Sequence, residues 1–388
     1  MPAYAHLKSM TMRSWSFWEQ ESFFGPRDVL IVGGGLVGLW SAYYLKRKNP
    51  RLSLAIVDRG IFPDGASTRN AGFACFGSFT ELMADSLKSG EDRMLELVEM
   101  RYRGLQRIRK AFHDQDLDYC ECGGFELLAE TKEDDINILR SQIDRMNQAL
   151  KKIIRSEKIF RLQDSKISEF RFSGVKHLIE NKLEGQLHPG KLVQALQANL
   201  QAQGVHFLPG TEITGYQVTN GQVELDAPHN IRLRANRILI CTNAYARALV
   251  PELDVEPARG QVLVTSALDD LPFRGTFHYQ EGFYYFRDLG KRVLLGGARN
   301  LAPNDEKSFE LQTTDKIQGE LERFLRETVL PGEQYTIEHR WSGIMGMGQE
   351  KMPIIRRLRE EVYCAVRLGG MGVALAPEVG KKMAALLS

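Results

Sequence analysis

The chain has 388 residues and is 43% hydrophobic, enough for two domains with separate cores and too long for one nucleotide-binding unit. Its 51 Lys and Arg against 49 Asp and Glu leave a formal net charge of +2, which offers no electrostatic footprint for nucleic acid or an acidic membrane surface. No apolar run is long enough to span a bilayer, and residues 1–20 mix Lys8, Arg13 and Glu19 with aromatics, so a soluble, cytoplasmic protein is expected. The aromatic segment Trp15 to Trp18 is expected to pack on a domain surface. Cys75, Cys120, Cys122, Cys241 and Cys364 are an odd, scattered set that suggests a reducing compartment. Cys120 and Cys122 lack zinc-site spacing, and no metal is expected.

The first strong element is the apolar run Asp28 to Val32. It meets Gly33-Gly34-Gly35-Leu36-Val37-Gly38, continues as a helix from Leu39 to Lys46, and is followed by a second run, Leu54 to Val57, ending at Asp58. Gly33 permits the tight turn, Gly35 lets backbone approach a pyrophosphate, and Gly38 lets the helix pack closely on the strand. Asp58 falls 20 residues after Gly38, where a carboxylate accepts from ribose hydroxyls. This is a dinucleotide-binding βαβ unit. The fingerprint alone does not separate FAD from NAD.

A turn-rich segment, Gly60 to Gly72, precedes a long helical stretch from Glu81 to His113, with Met94, Leu97, Val98, Tyr102, Leu105 and Ile108 at helical spacing. Gly124 to Ala129 reads as a strand and Glu133 to Lys152 as a charged helix. His188-Pro189-Gly190 opens a helix through Gln203, Gly204 to Leu208 is a strand, a hairpin brackets Asn220-Gly221, and a buried strand, Arg237 to Cys241, ends at Thr242-Asn243-Ala244. Between Pro251 and Pro303 strands dominate, including Gln261 to Val264, Gly282 to Phe286 and Arg292 to Gly296, which predicts a second sheet. A helix is expected over Lys307 to Glu327 and a last strand over Val362 to Val366. Gly369-Gly370-Met371-Gly372 then turns into a helix from Ala374 to Leu387, a second place where backbone and a helix N-terminus can approach a ligand.

Taken in order, Gly33 to Gly38 with Asp58, Gly65 to Gly72, His188 to Leu192, Cys241 to Ala244, Arg259-Gly260-Gln261, Arg340 to Gly343 and Gly369 to Pro377 resemble the FAD-dependent oxidoreductases of the D-amino-acid oxidase superfamily. Glycine oxidase, sarcosine oxidase and gamma-glutamylputrescine oxidase belong to it. The resemblance implies an α/β fold in which a Rossmann-like FAD-binding domain of the glutathione-reductase type is interleaved with an antiparallel-sheet substrate domain. The expected boundaries are 27–110, 186–250 and 335–388 for the first and 111–185 and 251–334 for the second.

It also implies non-covalent FAD. Sarcosine oxidases tether the flavin through a cysteine that would fall near Gly343, and no cysteine lies between Cys241 and Cys364. The implied cofactor residues are Gly33, Gly35, Leu36, Val37, Gly38, Asp58 and Arg59, then Ala66, Ser67, Arg69, Asn70, Ala71 and Gly72 along the pyrophosphate and flavin. Ile213, Thr242, Asn243 and Gly343 join them, and Gly370, Met371, Gly372 and Val373 would face the flavin C2 carbonyl.

The implied reaction is hydride transfer from the amine-bearing carbon to flavin N5, giving an imine that hydrolyses. It requires the neutral amine. Glycine oxidase clamps its substrate carboxylate with an arginine, and Met345 stands at that place here, so Arg299 and Arg287 are the candidate displaced clamps. Tyr285-Phe286-Arg287 with Leu294 to Gly297 is similar to the gamma-glutamylputrescine oxidase branch, implying an extended amine. Tyr284 and Tyr285 alternate, so one faces the flavin and one packs away; Tyr284 is carried as the site residue. His278 and His339 are candidate bases, neither assigned. Residues 293–297 lack the lysine that serves oxygen in sarcosine oxidases, which leaves oxygen or another carrier as acceptor. The alternatives are a flavoprotein that binds or scaffolds and an NAD-dependent dehydrogenase.

Overall fold

The computed structural model describes residues 14–129 and 135–387. Its first sheet grows from the apolar strand Arg27–Val32, which pairs in parallel with Leu54–Val57 on one side and Ile231–Ile240 on the other. His206–Leu208 extends it past Leu54–Val57, and Val362–Val366 extends it past Ile231–Ile240, both in parallel. Burial on both faces explains why these strands read as continuous apolar runs. Ile354–Arg357 and the hairpin Gly215–Thr219 and Gln222–Ala227 complete the sheet in antiparallel fashion.

Helices Leu36–Lys48, Glu91–Ala111, Pro189–Ala202 and Gly372–Leu386 cover this sheet around Trp40, which is fully buried. Leu36–Lys48 ends in Lys46-Arg47-Lys48, which suits the negative end of its dipole, and Lys46 Nζ donates to the Pro50 and Leu52 carbonyls. Pro189–Ala202 begins as its sequence predicts, with the His188 ring accepting from Lys191 N and Pro at its first position.

The second sheet runs, by neighbour, Ile337–Met347, Glu256–Thr265, Arg292–Gly297, Tyr284–Leu289, Thr276–Tyr279, Gly124–Ala129, Val175–Asn181 and Phe160–Leu162. All pairs are antiparallel except Thr276–Tyr279 with Gly124–Ala129. One face packs an aromatic core in which the Phe277 and Phe286 rings stack at 4.7 Å, beneath Phe172, Phe273 and Phe324. The opposite face looks back toward the first sheet.

Several boundaries differ from the sequence expectation. Ile337–Met347, placed with the first unit, lies in the second sheet with Gly343 opposite Gly260. The stretch from Glu81 is two helices, Phe79–Ser89 and Glu91–Ala111, broken at Gly90, whose φ of 88° a helix does not admit. The helix expected from Lys307 starts at Asp315, because Thr314 N donates to the Gln261 side chain instead of joining a helical turn. The charged helix begins at Ile136, and Glu133 and Asp134 lie outside the described residues. Trp15 packs edge-on against Phe24, whereas Phe17 and Trp18 point to solvent. Among the described residues, no helix is long and apolar enough to cross a membrane.

Candidate active site

A cavity of about 1070 Å³ lies between the two sheets. At one end the Gly33 turn delivers the N-terminus of Leu36–Lys48 to its wall, together with Gly35, Leu36, Val37, Asp58 and Arg59. A Cβ on Gly38 would run into the Gly33 carbonyl oxygen, so this glycine seats the helix on the turn and does not itself line the cavity. Asp58 accepts from Gly34 N at 2.7 Å and Gly60 N at 2.9 Å. Burial pushes its carboxyl up, and these two donors pull against that. Arg59 lies over the Tyr245 ring at 3.8 Å, with Ile213 also in the wall.

The middle of the cavity is formed by Gly65, Ala66, Ser67, Arg69, Asn70 and Ala71 and, across from them, Thr242, Asn243 and Gly343. Ser67 Oγ accepts from Leu36 N at 2.9 Å. Arg69 donates to the Asp64 and Ser342 carbonyls, and Trp341 Nε1 donates to the Arg69 carbonyl, which ties this arm to the second sheet. Asn70 closes the turn by donating to Ala66 and Ser67 and accepting from Gly72 N. Gly72 stays out of the wall. Gly370, Met371, Gly372 and Val373 open the last helix toward the cavity.

The far end is the inward face of the second sheet. Pairing sets His278 beside Tyr285 and Tyr285 beside Gly296, so the three share one face, and the Tyr285 ring lies across Gly296. Met345 reaches over Gly260 from the edge strand, and Arg299 and Phe73 complete this part of the wall. Arg299 lies 5.7 Å from the Phe283 ring centre and has no carboxylate partner among the described residues. Its burial lowers its pKa.

Two expected substrate residues are elsewhere. Tyr284 faces the aromatic core and donates to Glu320 at 2.8 Å, because strand alternation gives the cavity to Tyr285. Arg287 shares the Tyr285 face but sits beyond the cavity, buried and donating to the Leu187 carbonyl. Of the two candidate bases, His339 is exposed and His278 lines the cavity.

The sequence reading missed an ionic wall. Glu81 pairs with Arg101 and Lys351, and Lys351 also holds Asp85. Nearby, Glu184 and Cys75 meet His278. Ser78-x-x-Glu81 signals only a helix start, and the Ser78 hydroxyl does accept from Glu81 N.

The family model for FAD dependent oxidoreductases, DAO, matches residues 28–386. The chain belongs to this family. Gamma-glutamylputrescine oxidoreductase of Escherichia coli is 24% identical over 373 residues, covering 93% of this chain and 83% of its own length. D-amino acid dehydrogenase of Chromohalobacter salexigens is 23% identical over 377 residues, covering 86% of this chain and 88% of its own. The crystal structure of glycine oxidase from Geobacillus kaustophilus superposes with a TM-score of 0.76 at 20% identity, covering 93% and 94% of the two chains, a likeness of fold.

An FAD-dependent oxidoreductase of this family needs an elongated site for a dinucleotide, and this cavity fits one. Helix N-termini open onto it at Leu36 and at Gly372, the Asp58 carboxylate stands at one end, and Thr242 Oγ1 is buried there without a hydrogen-bond partner among the described residues. Non-covalent attachment is the family norm.

Proposed function

We propose that this protein oxidises a carboxylate-bearing amine or amino acid, with the carboxylate at Arg299 and the reacting end beside Tyr285. The observation that carries this reading is Arg299 itself, a desolvated guanidinium in the cavity wall without an anionic partner among the described residues. A bidentate carboxylate satisfies such a group best. The E. coli relative's name, gamma-glutamylputrescine oxidoreductase, supports an amine that also bears a carboxylate.

Bound FAD supplies the hydride acceptor for the carbon that carries the amine. Asp58 would hold the ribose hydroxyls, the N-terminus of Leu36–Lys48 with Gly35 and Ser67 the pyrophosphate, and Gly370 to Val373 the pyrimidine side of the ring. Tyr285, Phe73 and Met345 exclude water from the reacting end, and this desolvation favours the neutral amine that oxidation requires. The acceptor is oxygen or another carrier. Free cysteines support a cytoplasmic location.

The test is anaerobic mixing of the flavinated protein with amines, each paired with its decarboxylated counterpart, while the flavin absorbance is followed. Air is then readmitted and peroxide assayed. Selective bleaching by the carboxylate-bearing member supports the reading, and a fully flavinated protein that none of them bleaches overturns it. Rapid recolouring with peroxide defines an oxidase; slow recolouring defines a dehydrogenase with another acceptor.

A further inference from the structure

We propose that His278 and Glu184 form the proton-accepting pair for the substrate amine, an inference that rests on the amine-oxidising reading above. His278 is 7% exposed and stands on the cavity face of the second sheet beside Tyr285. Its two ring nitrogens look in different directions. Nε2 is buried without a hydrogen bond among the described residues and lies 3.5 Å from Glu184 Oε2. Nδ1 lies toward Gly282, a residue of the cavity wall, 3.9 Å from where a Cβ there would be. The Phe73 ring, edge-on at 5.3 Å, holds the imidazole plane.

Glu184 is 1% exposed and is fixed by Phe76 N at 3.1 Å and Gly77 N at 3.4 Å, both on Oε1. Its other oxygen is left to the histidine. Among the described residues no lysine or arginine pairs with Glu184: the nearby cations Arg101 and Lys351 are engaged by Glu81 and Asp85. Glu126, in register with His278 on the neighbouring strand, accepts from Ser78 and Thr80. A buried carboxylate without a fixed cation favours a positive charge beside it. Burial works against a charged imidazole here, yet Glu184, Glu126 and Glu81 together bring the His278 pKa above its ordinary value. Tyr285 and Cys75, the other titratable groups at this spot, have their pKa values pushed up by burial and add no charge at neutral pH.

The step follows from that geometry. Neutral His278 keeps its proton on Nε2, toward Glu184, and presents the Nδ1 lone pair to the cavity. The substrate ammonium N–H bond breaks as the Nδ1–H bond forms, leaving a neutral amine with its lone pair free and an imidazolium facing Glu184. No electron moves in this step. Cys75 shares the cluster, with its sulfur and the histidine and glutamate ligand atoms all within 4.8 Å of one another. Burial pushes the pKa of its thiol up.

The experiment uses the flavinated protein and its His278→Asn and Glu184→Gln variants. Imidazole titration by NMR, with His278 assigned by its loss in His278→Asn, is expected to move to lower pH in Glu184→Gln. In anaerobic single turnovers, His278→Asn is expected to slow flavin reduction about a hundredfold at neutral pH and to recover at high pH, where free amine is abundant. If His278→Asn does not fold, Glu184→Gln with its pH profile carries the test. A variant profile identical to that of the parent overturns the pair and leaves the amine reading intact. A parent that no amine reduces overturns that reading and this proposal with it, and stoichiometric zinc in the purified protein overturns the proton role alone.

Discussion

The Tyr285 ring lies flat across Gly296: a Cβ on the glycine would sit 2.6 Å from Tyr285 Cε2 and 2.7 Å from its hydroxyl oxygen. The two are cross-strand partners, so the absence of a side chain on one strand is what lets the aromatic ring of the next lie down as cavity wall. Gly296→Ala is therefore expected to lift the ring into the cavity, costing about 1 to 3 kcal/mol of stability by overpacking and raising KM for the amine. Thermal unfolding and steady-state kinetics check this together, and a variant unchanged in both refutes the ring's placement.

Arg299→Ala is expected to raise KM for a carboxylate-bearing amine at least tenfold, about 1.4 kcal/mol. An amine without a carboxylate should lose much less. Equal effects on both would remove the clamp role.

Tyr284→Phe and Tyr285→Phe separate the two neighbours. The first deletes the hydrogen bond to Glu320 and is expected to lower stability by about 1 kcal/mol with KM unchanged. The second is expected to alter the kinetics and leave the unfolding midpoint nearly in place. A reversed pattern would return Tyr284 to the site.

Alternation fixes which residues of a strand share a face but not which face meets the cavity. Tyr284 is buried and Tyr285 half-buried, and two neighbouring tyrosines offer the same residue type, so hydrophobicity did not distinguish them. The Gly33 turn and its helix were legible because their backbone demands are local. The sheet membership of Ile337–Met347 was not, since it depends on pairing with residues some eighty positions earlier in the chain. The Glu184, His278 and Glu81 wall was invisible for a related reason: a charged residue in sequence looks the same whether water or a cavity awaits it.

Acid should weaken that wall. Burial disfavours the Glu81 carboxylate, but Arg101 and Lys351 outweigh it and bring its pKa down to about 2 from an ordinary 4.5. Because the folded value is the lower one, the ionised form stabilises the fold. This contribution, on the order of 3 kcal/mol, is complete above the ordinary value and lost as pH falls through about 2. Denaturant midpoints measured down that range should fall more steeply for the parent than for Glu81→Gln. Parallel slopes would show that the cluster contributes nothing to acid stability.

The bonds between Arg69 and the Trp341-Ser342 edge join an early arm of the chain to a late strand. The cavity wall is thus built from residues near 33–73 and others near 343–373, with neither set sufficient alone. During synthesis only part of this wall exists when the Gly33 turn leaves the ribosome. The wall is complete only after Ile337–Met347 and the helix Gly372–Leu386 have emerged, so the full dinucleotide site is assembled late in synthesis.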